Sequence, residues 1–459
     1  MHGTPVYEEE RTTVHRWLSR LKISLPLAAL LCAVPLSAVP VQKVTEPAKT
    51  PFVLYARSAI LIDQVTGRIL YERNADQPFV PASLAKLMTL HIIYEELDDR
   101  SISRSDVVHL TSNAWAAHQV PGSSLMNLGP GQIVTVEELM KGVAIASGND
   151  AATALAEYVA GSTHGFVRLM NDEARFLGYS ITHFTDPAGV REDNLVTARE
   201  FADFCRRYIA LHPEALKELH SLREFDYPLA QNVPDGRLVP RETKKQYNAN
   251  YLVWDGWGVD GLKTGHLDDD NFTAAITARR GDSRLIAVLL GVSGRSLEEG
   301  ARNRLDDGMA LLSYGFRTYT TIGLDPPHLP AVHVWKGELQ ELAIVPSAPV
   351  NLTVRPEEMD KLSYSVMLST PLVAPLMRGQ RVGELIYTAG SEVIGRIPLV
   401  AASAVHRAGL LRRMWDTAVL GFSSAVGGTL SALHASFSGF PLAEITPVQS
   451  EPPADAKAP

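Results

Sequence analysis

The run from Leu285 to Val292 is uncharged and almost wholly apolar, which for a strand means a central place in a sheet, covered on both faces. It follows Asn271 to Arg279 across a turn at Gly281-Asp282, so the two read as a hairpin. Far upstream, Ser58 to Asp63 and Arg68 to Tyr71 form a second hairpin around Thr66-Gly67. Between the hairpins the apolar period is helical. Helices are expected from Ser83 to about Leu97, over Val136 to Ile145, from Asp150 onward, and over His164 to Leu177 and Ala198 to Leu211, with a last one over Leu297 to Tyr314. Strands at both ends and helices between them predict an α+β domain. Its antiparallel sheet brings the terminal strands together under a cover of helices.

That domain is expected over residues 45–318. Pro326, Pro327 and Pro330 mark a boundary, and the short segments Glu341 to Val345, Val350 to Val354 and Leu362 to Met367 predict a small β-sandwich over 325–400. Residues 401–442 then read as an amphipathic segment. Leu410, Leu411, Met414, Trp415, Ala418 and Phe422 fall on one arc of a helix, with Arg412, Arg413, Asp416 and Ser423 opposite. Two readings stand for it: docking on the β domain, or lying in a membrane interface with Trp415 at headgroup level. The Pro- and Ala-rich end, 443–459, is expected to be disordered.

The first 42 residues have the features of an export leader. Arg11, Arg16, Arg20 and Lys22 precede an uncharged stretch from Ile23 to Gln42, with a cleavage region near Leu36-Ser37-Ala38. A retained signal anchor is the alternative; a lipid-modified Cys32 is disfavoured because bulky Leu31 precedes it. Both readings carry the rest of the chain across a membrane. The other of the two cysteines, Cys205, lies in a predicted helix and reads as a small core residue. Acids and bases are spread through the chain at a net charge of −8, leaving no basic stripe for nucleic acid. The fourteen histidines are scattered without a zinc-ligand spacing, so no metal or other cofactor is implied.

The chemistry-bearing pattern starts at Pro81-Ala82-Ser83-Leu84-Ala85-Lys86. Residues three apart share a helix face, so the Ser83 hydroxyl and the Lys86 amine can meet as nucleophile and base. A helix start also favours negative charge developing at Ser83. Alone, the pair reads first as an N-cap serine before an ordinary helix. Two further motifs follow in order: Ser147-Gly148-Asn149 at a break between helices, and Lys263-Thr264-Gly265 in an extended segment ahead of the apolar hairpin.

This triple is the signature of the penicillin-recognising serine hydrolases and transferases, with Gly148 where the pattern commonly has Asp. With Gly261-Leu262-Lys263-Thr264-Gly265-His266, the leader, the β domain and the amphipathic tail, residues 50 to 425 resemble the low-molecular-mass penicillin-binding proteins that are serine D-Ala-D-Ala carboxypeptidases. The resemblance implies peptidoglycan stem peptides ending in D-Ala-D-Ala as substrates, β-lactams as covalent inhibitors, a membrane surface as partner of the C-terminal helix, and a periplasmic or extracellular location.

It also implies roles. Ser83 attacks the carbonyl between the terminal D-alanines, and Lys86, its pKa lowered by burial or a neighbouring cation, takes the proton. Ser147 relays a proton to the leaving amine, and Asn149 bonds Lys86 and the substrate amide. Lys263 depresses the Lys86 pKa and, with Thr264, holds the terminal carboxylate. Backbone N–H groups of Ser83 and His266 form the oxyanion hole. Gly265 leaves room for substrate along the strand, and the His266 side chain has a conformational role, not that of a base.

One stretch departs from the family pattern. Leu267-Asp268-Asp269-Asp270 stands where threonine and small residues are usual, and it reads either as a solvated loop or as a source of altered carboxylate binding. Three other functions stay open: D,D-endopeptidase activity with the same machinery, a β-lactamase, and a non-catalytic cell-wall-binding protein. The β-lactamase lacks support from any Glu-x-x-Leu-Asn pattern between residues 147 and 263.

Overall fold

The computed structural model describes residues 52–233, 243–254, 256–268, 270–369 and 371–425. The leader over 1–42, the tail over 443–459 and the end of the amphipathic segment lie outside them, as do Asp269 and the side chains of Phe422 and Ser423.

Five strands form the main sheet: β1 (Ala56–Asp63), β2 (Ile69–Arg73), β3 (Val259–His266), β4 (Phe272–Arg280) and β5 (Ser283–Val292), in the spatial order β2-β1-β5-β4-β3. Every neighbouring pair is antiparallel. The terminal strands meet as their sequence requires, with Ala56 opposite Val292 and Asp63 opposite Leu285. Alternation along β5 explains its composition. Ile286, Val288 and Leu290 point into one core, Leu285, Ala287, Leu289 and Val292 into another.

The first core is roofed by α1 (Ala85–Asp98), α2 (Val136–Ala144), α3 (Asn149–Ala160), α4 (Thr163–Phe176) and α5 (Ala198–Leu211). The second is closed by α6 (Leu297–Thr318), which supplies Leu311 and Leu312. Helix starts follow their sequence signals. Thr135 and Glu138 form a reciprocal capping box at α2, and Ser162, Thr197 and Ser296 each accept a backbone N–H at α4, α5 and α6. Cys205 is buried in the core, and burial pushes its thiol well up from the ordinary range.

The β domain begins earlier than its prolines suggest. Its first strand, β6 (Thr320–Leu324), precedes Pro326 and pairs with β8 (Val350–Val354). A four-stranded sheet of β7 (Ile344–Pro346), β9 (Leu362–Leu368), β10 (Arg381–Ala389) and β11 (Glu392–Ala401) runs in the order β7-β11-β10-β9. Pairing also continues past residue 400, since Val405 bridges to Leu376. A buried bidentate pair fastens this domain to the β1–β2 turn: Arg68 Nη1 and Nη2 donate to the two oxygens of Glu358 at 2.7 and 2.8 Å.

Helix α7 (Leu410–Ala425) meets the β domain with its polar side. Asp416 is buried and its Oδ2 accepts the Lys336 N–H at 2.6 Å. Leu410, Leu411, Met414 and Trp415 remain 70, 85, 64 and 71% exposed. The two readings of this segment are therefore not exclusive, because docking uses the face opposite the apolar arc.

Candidate active site

Ser83 lies in a single 3₁₀ turn, Ala82–Leu84, immediately ahead of α1, rather than capping the helix. Ala82 takes a left-handed backbone, φ 51°, which costs a non-glycine residue about 1–2 kcal/mol. This kink turns Ser83 out while the apolar residues Leu84, Leu87, Met88 and Leu90 stay buried. Lys86, the first α1 residue after Ala85, is completely buried among them.

The amine of Lys86 has three close neighbours: Ser83 Oγ at 2.9 Å, Asn149 Oδ1 at 2.7 Å and the Ala188 carbonyl at 2.7 Å. Burial lowers its pKa to about 7, against the opposing pull of the Asp186 and Asp150 carboxylates. A neutral amine has two N–H donors and one lone pair. The amide oxygen of Asn149 and the carbonyl of Ala188 accept only, so they take the two N–H bonds and leave the lone pair for the Ser83 hydroxyl.

Asn149 is delivered by the α2–α3 break. Ser147 there is buried with a left-handed φ of 57°, and the Gly148 N–H closes the end of α2 by donating to Gly142 O at 2.9 Å. Non-glycine residues in this region are strained, and such strain concentrates at functional sites. The buried Asp150 side chain fixes the break from behind, accepting the N–H groups of Met126 and Leu128 at 2.8 and 2.9 Å.

The third motif lies on β3, an edge strand of the sheet. Lys263 and Thr264 are buried, and Lys263 Nζ donates to Thr264 O at 2.8 Å. Burial, and then the Lys86 and Arg304 cations, hold the Lys263 ammonium well below its ordinary pKa. Burial is the larger cause at both lysines, with the two amines as neighbouring like charges.

Gly265 has a packing role as well. A Cβ there would lie 2.7 Å from the Ser83 backbone nitrogen and 2.8 Å from Thr273 Oγ1, so the missing side chain makes room for the nucleophile turn itself. The His266 ring stacks on Phe272, centroids 5.4 Å apart and planes 14° apart, in keeping with a conformational role. Asp268 and Asp270 are exposed, and Asp268 Oδ1 accepts the Asp270 N–H at 2.9 Å, which favours the solvated-loop reading of that departure.

Two supports escaped the sequence reading. The loop from Asp186 to Arg191 wraps beneath the nucleophile turn: Asp186 accepts four successive backbone N–H groups from Ala188 to Arg191, presenting the Ala188 carbonyl to Lys86. Gly189 has a φ of 77° and sits where a Cβ would strike the Ala82 carbonyl. The second is Arg304, buried on α6, whose Nη1 donates to the Gly265 carbonyl at 3.0 Å and holds β3 from its far side. Its spacing from Gly300, Gly308 and Leu311 puts it on the core-facing stripe, where an arginine is out of place without a task.

Residues 43–294 match a family described as D-alanyl-D-alanine carboxypeptidase, and residues 329–407 match the C-terminal domain of penicillin-binding protein 5. The chain is 34% identical over 383 residues to D-alanyl-D-alanine carboxypeptidase DacC of Escherichia coli, covering 82% of this chain and 90% of that protein. Against D-alanyl-D-alanine carboxypeptidase DacF of Bacillus subtilis the identity is 32%, covering 78% of this chain and 87% of the other. Among solved structures, penicillin-binding protein 5 from Haemophilus influenzae superposes with a TM-score of 0.68 at 29% identity, over 78% of this chain and all (100%) of that one.

Proposed function

Because the chain belongs to the D-alanyl-D-alanine carboxypeptidase family of low-molecular-mass penicillin-binding proteins, we propose that it removes the terminal D-alanine from peptidoglycan stem peptides through an acyl-enzyme on Ser83. The observation that carries this reading is the Lys86 amine. It is buried, 2.9 Å from Ser83 Oγ, and supplied with two carbonyl acceptors that aim its lone pair at the hydroxyl.

In this mechanism Lys86 accepts the Ser83 proton as Oγ bonds to the carbonyl carbon of the penultimate D-alanine. The backbone N–H groups of Ser83 and His266 receive the developing oxyanion. Collapse breaks the peptide bond, and the leaving amine of the terminal D-alanine takes a proton from Lys86 through Ser147. Water then attacks the acyl-enzyme with Lys86 again as base. Lys263 and Thr264 bind the terminal carboxylate, which restores favourable surroundings for a buried ammonium. Asn149 orients Lys86 and the substrate amide, and Gly265 and His266 line the edge of β3 along which the peptide lies. A penicillin presents the same carboxylate and an acylating amide, so it esterifies Ser83.

We place the protein outside the cytoplasm, where its substrate is, on the periplasmic or extracellular face of the membrane. The exposed apolar arc of α7 supports a seat in the lipid interface. Among the described residues no helix is long and apolar enough to cross a membrane.

Release of free D-alanine from a pentapeptide ending in D-Ala-D-Ala tests the reading. Stoichiometric release that benzylpenicillin abolishes is expected. Binding of the peptide without release would instead identify a wall-binding protein.

A further inference from the structure

Beyond Lys86, α1 carries His91 and, one turn later, Glu95. His212, the residue that follows α5, folds against both. His91 Nδ1 is 2.9 Å from His212 Nε2, and Glu95 Oε1 is 3.4 Å from that same His212 nitrogen. Among the described residues this is the one group of three metal-ligand side chains whose donor atoms converge, all within 4.8 Å of one another. The imidazoles are 3 and 1% exposed and Glu95 is 52% exposed, so the cluster has dry walls and one side open to solvent.

Hydrogen bonding alone leaves this cluster incomplete. His212 Nδ1 is buried with no hydrogen-bond partner, and the carboxylate nearest to hand, Asp98 Oδ2, stands 3.8 Å away. His91 Nε2 faces Glu173 Oε1 at 3.3 Å. Each ring thus turns one nitrogen to a common centre and the other to a carboxylate, the arrangement that orients metal-bound histidines. Glu95 and Asp98 also occupy the last turn of α1, which contains no basic residue. Carboxylates are disfavoured at that negative end of a helix, and a bound cation reverses the penalty.

We propose that His91 Nδ1, His212 Nε2 and Glu95 Oε1 bind a divalent transition cation of the zinc type, with water as the fourth ligand. Two imidazoles and one carboxylate suit that class of ion better than calcium or magnesium. Tetrahedral bonds of about 2.0–2.1 Å set donors roughly 3.3–3.5 Å apart. The Glu95–His212 separation already fits, the two rings have to part by a few tenths of an ångström, and the Glu95 carboxylate, within 4.8 Å of His91 Nδ1, turns in to close the third side. Glu173 holds the outer nitrogen of His91, and Asp98 closes on that of His212 when the ion binds. The ion ties the C-terminal half of α1 to the end of α5, bracing the helix whose other end carries Lys86.

The test uses the untagged full-length chain, stripped with EDTA and titrated with zinc chloride alone. Expected results are one tightly held zinc per chain by elemental analysis, a zinc-dependent rise in melting temperature, and the intense visible bands of tetrahedral cobalt when cobalt replaces zinc. Glu95→Gln, at a half-exposed position that tolerates change, weakens zinc binding at least about tenfold while penicillin acylation in EDTA is retained. Glu173→Gln weakens it about 10–100-fold. His212→Asn abolishes the cobalt spectrum. Absence of stoichiometric zinc, or an affinity unchanged in Glu95→Gln, overturns the proposal even if His212→Asn fails to fold.

Discussion

A methyl group on Gly265 would come within 2.7 Å of the Ser83 backbone nitrogen, so the edge strand and the nucleophile turn meet with no space between them. The same nitrogen is one of the two proposed oxyanion donors. Gly265→Ala is therefore predicted to displace that donor while the rest of the sheet stays intact. The acylation rate with a fluorescent penicillin should fall about 10²–10³-fold, the usual cost of one lost oxyanion donor, at an unchanged circular dichroism spectrum.

Lys86 gives the pH dependence its sign. Acylation needs the free amine, and burial has brought the pKa to about 7. The acylation rate constant should fall tenfold per unit of pH below about 7 and level off above it, an acid limb traced by stopped-flow. Lys86→Arg places a permanently protonated group there, and acylation should drop at least about 10²-fold across the whole profile.

The two domains are coupled through Arg68. Burial alone would push the Glu358 carboxyl up, but the hydrogen bonds and charge of Arg68, aided by Arg355, hold it at about 2. Arg68→Ala leaves Glu358 largely buried with only Arg355 to answer it, at a cost of about 3 kcal/mol, toward the low end for a broken buried pair. Calorimetry should show the β domain melting first and separately. Acylation at Ser83 should change less than about twofold, since Arg68 has no part in the acylation step proposed for Ser83.

Helix α7 predicts a membrane assay. Leu411→Glu together with Trp415→Glu puts charge on the exposed arc without touching Asp416, which holds Lys336. Binding to vesicles containing anionic lipid should fall by at least about tenfold, with D-alanine release from a soluble peptide unaffected. Truncation after Ala408 should do the same. A cut at Val400 is less clean, because it removes the Val405 bridge to Leu376.

The sequence made the sheet legible because its evidence is local. The apolar run of β5 and the two hairpins each announce themselves within about ten residues. The three motifs were legible for the same reason, each being contiguous. What stayed hidden depends on contacts between distant segments. Asp186 looks like an ordinary turn residue until its loop is seen beneath Lys86, and Arg304 like one charge in a charged helix until it reaches Gly265. His91 and His212 stand 121 residues apart, so no ligand spacing could reveal their convergence. The packing of the Ser83 turn against Gly265 was hidden as well, since strand periodicity gives no sign of it.

Ser83 Oγ is the atom that the proposed mechanism acylates. The most direct measurement is peptide mapping by mass spectrometry after brief exposure of the soluble protein to labelled penicillin. One penicilloyl group per chain on the peptide containing Ser83, and none in Ser83→Ala, is the predicted result. A label that survives Ser83→Ala, or that maps to another residue in the unaltered protein, would contradict it.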